Sequence, residues 1–193
     1  MEISDKLYQL VAENEIDKAI EIAENHLKSL QKTDFHKIIG KNLFHLTNNL
    51  TNYISEFYDN YKNEFDFKAI YSEMNGFTIN YDLWFIDLFG FDKCEGLEDL
   101  DWLGDFDYST ENSLKITGFE DLQNVYQDYM ENEKYNDKEL EKVCEVCELL
   151  IILRLQELFR ESKKIAIKEK LDWSEIPIFV TAHDYEMIYD VNP

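Results

Sequence analysis

Apolar residues recur every three to four positions along most of this chain, then alternate singly with polar ones from residue 67 onward. From residue 92 to 111 they are scattered through a run of acids. The first pattern predicts amphipathic helices and the second a half-buried sheet. In residues 4–30 it divides into two helices with a short break. Ser4 or Asp5 caps the first, and Leu7, Leu10 and Val11 share one side. In the second, Ile16, Ala19, Ile20, Ala23 and Leu27 fall at i, i+3, i+4, i+7 and i+11. A long helix is expected from residue 33 to about 65, with Ile38, Ile39, Leu43, Leu46, Leu50, Ile54 and Phe57 as its apolar face. Gly40 and Thr47 weaken it without breaking it.

Residues 67–91 read as strands. Phe67, Ala69, Tyr71 and Glu73 alternate with Lys68, Ile70, Ser72 and Met74, and Asn75-Gly76 is a strong signal for a tight type I′ hairpin. Phe77 to Tyr81 is the expected return strand. Residues 83–91 are the expected third strand, with Gly90 as a bulge or end. After the acidic stretch, Thr117 or Gly118 opens a helix to about residue 131. Asn136 or Asp137 caps the longest one, residues 137–171. Leu140, Cys144, Cys147, Ile151, Leu155 and Leu158 face inward there, and its middle is apolar nearly all round, which predicts a central element. Past Pro177, residues 178–181 and 187–191 read as short strands joining the sheet. The fold class expected is α+β, predominantly helical: long helices packed with a small antiparallel sheet built around the Asn75-Gly76 hairpin. We expect one domain over residues 1–193. Its parts are a helical hairpin and long helix (1–66), a meander (67–91), an acidic loop (92–111), helices (118–171) and terminal strands (177–191).

The phrase LVAENEIDKAIEIAENHL resembles one helical pair of a tetratricopeptide array. It occurs once, with no 34-residue recurrence, so a plain helical hairpin is the reading.

Composition narrows the function classes. A hydrophobic content of 45% argues for a folded core despite the charge. Only two Pro and six Gly occur, so loops should be few. The longest apolar run, residues 149–153, is far too short to span a membrane, and the N-terminus MEISDKLYQL lacks the basic and apolar regions of a signal peptide. Three Cys, an odd number, offer no disulfide framework and suit a reducing compartment, the cytoplasm.

The net charge of −22 is unevenly placed. Spread over the roughly 9,700 Å² of a globule this size, excess charges would sit about 20 Å apart and be screened from one another. Instead residues 67–136 carry −12, and residues 92–111 alone hold eight acids against Lys93. Direct binding to nucleic-acid phosphates requires a basic face and is disfavoured; a basic protein or a cation is the partner favoured.

Candidate chemistry is thin. Cys144-x-x-Cys147 lies about two turns inside a helix between Glu145 and Glu148, whose charges would raise a thiol pKa, so core packing is its reading. His26, His36, His45, His183 and Cys94 show no zinc-ligand spacing. Asp105-x-Asp107-x-Ser109 begins like a calcium loop, but Thr110 stands where Gly is needed and Ile116 where a bidentate Glu is needed. A His183-Asp184 pair activating Cys94 can be drawn, though nothing in sequence joins them. No Gly-rich phosphate loop occurs. We therefore name no catalytic residue, no metal ligand and no cofactor.

The aromatic-acidic stretch remains. Asp99, Asp101, Trp102, Asp105, Phe106, Asp107, Tyr108 and Glu111 form the candidate partner-binding set: aromatic anchors supply burial while acids steer a basic partner. In one version Trp102 and Phe106 meet the partner; in the other they fold back and pin the loop, acids outward. The function expected is a non-catalytic acidic protein occluding a basic surface of another protein, which could be a toxin or a nucleic-acid-binding enzyme. In charge and size the chain is similar to acidic inhibitors and immunity-type proteins of bacterial toxin systems; no family motif accompanies that similarity. The alternatives are an enzyme or sensor holding a divalent cation in the 99–111 loop, and an oligomer-forming structural protein.

Overall fold

A computed structural model describes residues 2–192. The N-terminal hairpin forms as the periodicity predicts. Helix α1 spans Ile3–Ala12 and α2 spans Ile16–Ser29, turned through Asn14 at φ 60°. Asp5 caps α1 from inside its first turn, accepting the Glu2 backbone N–H at 3.2 Å. Residues 33–65 depart from expectation. Two short 3₁₀ turns, Asp34–Ile38 and Phe44–Leu46, precede helix α3, Thr47–Tyr61. Gly40 sits between them at φ 76°, outside helical space, and its N–H donates to Glu24 Oε1 at 2.9 Å. Gly40 therefore breaks the helix. The break lets Phe35 drop between Tyr126 and Tyr129, with ring centroids at 5.1 and 5.5 Å, while Leu43 and Leu46 enter the core separately.

Helix α4 is Glu120–Glu131 and α5 is Lys138–Glu169. Asp137 caps α5, accepting the Glu139 and Leu140 N–H groups at 3.0 and 3.3 Å. Buried residues run round the whole circumference of α5 between Val146 and Leu153, so it is the central element expected. Among the described residues no helix is long and apolar enough to cross a membrane.

The sheet is mixed. Strands β1 (Ala69–Asn75), β2 (Phe85–Phe91), β3 (Tyr108–Ser109), β4 (Leu114–Lys115), β5 (Ile178–Ala182) and β6 (Tyr189–Asp190) lie in the order β3-β2-β1-β5-β6, with β4 also pairing β2. β1 and β5 run parallel, Tyr71 beside Phe179, which corrects the all-antiparallel expectation. The chain reaches β5 from α5 and Pro177, not from a turn, so nothing forces reversal. The tight Asn75-Gly76 hairpin is likewise corrected. Asn75 pairs with Phe85 and residues 76–84 form a wide loop, with Phe77 at φ 55° and buried against Trp84. Gly76 is needed for space: a Cβ there would lie 2.8 Å from the Trp84 ring. The expected return strand is therefore loop. Gly90 stands inside β2 opposite Ile70, where a Cβ would meet the Phe67 ring at 2.6 Å.

Alternation along β1 and β2 separates two faces. Ile70, Met74, Ile86 and Leu88 join Ile178 and Val180 in the core shared with the helices. Ala69, Tyr71, Phe91 and Phe179 point the other way and, with Trp102, make a second, smaller core.

Candidate functional site

Among the described residues no α-helix covers the second face of the sheet; its cover is the acidic stretch. Trp102, on a 3₁₀ turn at Asp101–Gly104, lies edge-on to Phe91 (4.9 Å) and Phe179 (5.8 Å), and its Nε1–H donates to the Gly96 carbonyl at 2.8 Å. Only 3% of Trp102 is exposed. The indole fills the space a helix would otherwise cover, so the loop folds back and carries its acids outward. Asp99 accepts the Asp101 N–H at 3.0 Å, closing that turn, and Asp107 accepts the Asp92 N–H at 3.2 Å, tying the two ends of the loop together.

The eight predicted residues do not form one surface. Asp99, Asp101, Asp105, Phe106 and Asp107 are exposed on the loop, with Trp102 beneath them. Tyr108 turns toward the helices, where its ring meets Tyr61 at 4.4 Å and Phe65 at 5.0 Å. Glu111 is exposed on the turn between β3 and β4, beside a cleft of about 220 Å³ lined by Tyr53 and Asn112. Phe106 is 46% exposed and lies over Phe89, ring centroids 4.8 Å apart. Alternation puts half-exposed Phe85 and Asp87 on that face of β2 with Phe89, and Glu73 on β1 directly opposite Asp87. The result is an aromatic patch at Phe89 and Phe106 with carboxylates beside it. Sequence reasoning missed Phe85, Asp87 and Phe89, although the alternation in FIDLFGF carries the signal.

The electrostatics of this face are one-sided. Lys93 is the base paired within the loop, 3.6 Å from Glu95 and 3.9 Å from Asp105. The acids spread along the loop: among the described residues no three His, Cys, Asp or Glu side chains converge as metal ligands would. At the end of β5, His183 Nδ1 hydrogen-bonds Glu73, which also accepts from the Tyr71 hydroxyl at 3.0 Å, and Nε2 lies 3.6 Å from Asp184. The Glu73 hydrogen bond holds the imidazole above its usual pKa. Both ring nitrogens thus face carboxylates, and the geometry offers no nucleophile to pair with them. Cys144 and Cys147 are buried; desolvation, with the Glu148 charge behind it, pushes both thiols up, the reverse of what a redox pair needs.

The surface thus carries an aromatic patch at Phe89 and Phe106 and an acidic loop pinned from below by Trp102. Compared with known protein families, curated proteins and solved structures, the chain matches none.

Proposed function

We propose that the protein is a non-catalytic binding protein that occludes a basic surface of another protein, in the manner of an inhibitor or immunity protein. The observation that supports this most is Phe106 lying exposed over Phe89 on a loop whose acids point outward because Trp102 is buried beneath them. An aromatic anchor needs a fixed base, and acids that steer a partner lose less entropy on binding when their loop is already ordered. The partner implied is a basic protein, a nucleic-acid-cutting toxin or a similar enzyme with a cationic groove, in a reducing compartment such as the cytoplasm. Nucleic acid itself is repelled by the charge. The cation-sensor alternative lacks comparable support, since the loop acids do not converge.

The test begins with capture of partners from host lysate at low salt, followed by titration of the purified partner. Charge steering predicts that affinity falls steeply between 50 and 300 mM NaCl, where the screening length drops from about 14 to about 6 Å. Changing Asp99, Asp101, Asp105 and Asp107 together to Asn should flatten that dependence. F106A should weaken binding by about tenfold or more at every salt concentration, as loss of an aromatic anchor does. A partner whose affinity ignores both changes sinks the proposal.

A further inference from the structure

Two glutamates buried in α5 are treated differently. Glu157, 6% exposed, has its own counter-ion: Arg154 reaches it at 3.0 Å and Glu24 at 2.8 Å. Glu148, 9% exposed, has none among the described residues. Its oxygens accept from the Tyr185 hydroxyl and, at 3.6 Å, from the Cys144 thiol. Glu141 and Glu145 precede it at i−7 and i−3, so three carboxylates share one face of the helix with no ion pair to any of them. Of the nearby lysines, Lys142 pairs with Glu139 at 2.7 Å and Lys134 with Asp128, while Lys138 pairs with none of the three among the described residues.

These three acids line one side of a pocket of about 340 Å³ between α4, α5 and the β1–β2 loop, and Tyr129, Met130 and Tyr135 line the other. The two tyrosine rings stand 6.3 Å apart at 73°. Carboxylates opposite aromatic rings are the complement of an organic cation: the ammonium meets negative charge and ring faces, while its alkyl chain meets Met130 and the rings. A bare metal ion would find three carboxylates that do not converge on a point. We infer that this pocket binds an alkylammonium group, with Glu148 as the buried counter-ion and Tyr129 and Tyr135 as the aromatic wall.

The inference does not rest on the acidic loop, which covers the other face of the sheet. It carries its own pH signature, because only ionised Glu148 can pair with the ligand. The groups facing that carboxyl are Cys144, Glu145 and Cys147 on its own helix, Tyr126 and Tyr129 on α4, and Tyr185 beyond β5. Desolvation, with a smaller contribution from the Glu145 charge, raises the Glu148 pKa to about 7. Tyr129 and Tyr185 remain neutral across that range, and Glu145, whose pKa burial also raises, loses its charge in the same direction as Glu148 when pH falls.

The experiment is an NMR titration of the full chain, uniformly carbon-13 labelled, with putrescine or with Nα-acetyl-lysine methylamide at constant ionic strength. It follows the Glu148 carboxyl and the rings of Tyr129 and Tyr135, with NaCl as control. We expect a saturable shift at all three residues at pH 8. The Kd should rise about 30-fold at pH 5.5, where only about 3% of the carboxyl is ionised. E148Q should weaken binding at least tenfold, and the Asn variant of the four loop acids should leave it unchanged. Tighter binding of putrescine assigns the site to a free amine, and tighter binding of the lysine derivative to a side chain of a protein. No saturation, a shift that NaCl reproduces, a Kd indifferent to pH, or binding retained in E148Q would overturn the inference. The pH arm uses wild-type protein, so the test survives a variant that folds poorly.

Discussion

Replacing Glu148 by Gln removes a charge whose burial the fold tolerates at a cost that can be worked out. The carboxyl is 9% exposed, and desolvation raises its pKa from 4.5 to about 7. Between those values the native state holds a proton that the unfolded chain has released, so the stability Glu148 provides is complete below pH 4.5 and declines as pH rises through 7. That rise corresponds to roughly 3 kcal/mol between the two limits. Glutamine keeps an oxygen for the Tyr185 hydroxyl and never ionises. Its amide N–H groups carry a desolvation cost of their own, about 1–3 kcal/mol, but that cost is the same at every pH and cancels when two pH values are compared. Urea unfolding followed by tryptophan fluorescence, at pH 5 and pH 8, gives the required four stabilities. E148Q should gain about 2–3 kcal/mol relative to wild type on going from pH 5 to pH 8. For a chain of this length that is a relative rise in Tm of about 4–12 °C. A difference between variant and wild type that is the same at both pH values, within about 0.5 kcal/mol, would refute the reasoning, because it would mean Glu148 titrates alike in both states.

Trp102→Ala should cost about 3–5 kcal/mol, the range for a buried aromatic. It should also make residues 92–107 the first site of proteolytic cleavage, since the indole is what holds them to Phe91 and Phe179. Cleavage elsewhere first, with the loop intact, would show that other contacts fix it. Gly90→Ala places a methyl 2.6 Å from the Phe67 ring, which also packs on Phe57 at 5.5 Å, so the aromatic cluster must shift at about 1–3 kcal/mol; unchanged urea unfolding would contradict that packing. Added NaCl should act in opposite directions on the two properties of the acidic stretch. Screening relieves repulsion among its eight acids and so raises protection of its amides from hydrogen exchange, while the same screening weakens a basic partner's binding. Protection that falls as salt rises would mean the acids are not repelling one another in the folded loop.

Helices α1, α2, α4 and α5 and strand β5 were legible because each writes a period or a cap that local physics enforces. The long helix over residues 33–65 was not. Its apolar spacing is equally served by two short turns and a helix, and only the packing of Phe35 between Tyr126 and Tyr129 decides against continuity. Asn75-Gly76 misled for a similar reason. The dipeptide favours a two-residue turn by itself, but Phe77 and Trp84 gain more by entering the core, and the loop widens to let them. The parallel pairing of β1 with β5 depends on where a chain returns after a 32-residue helix, which no local pattern records.

The site divides along the same line. That Trp102 and Phe106 have separate roles follows from the sheet having a second face, and neighbours in sequence could not reveal it. Alternation in β2 requires Phe85, Asp87, Phe89 and Phe91 to share a side. Phe91 is covered by Trp102, and Phe89 is left to Phe106, itself 46% exposed. A sheet whose one face already joins the helical core gains stability by covering the other face fully; Leu103 of this loop packs there, and Leu97 is a side chain that could extend the cover. Instead Leu97 is exposed, the acids stand outward, and Phe89, Phe85 and Asp87 remain half-covered. The proposed binding reading has another surface complete that burial. In that proposal the exposed Asp99, Asp101, Asp105 and Asp107 favour a basic surface.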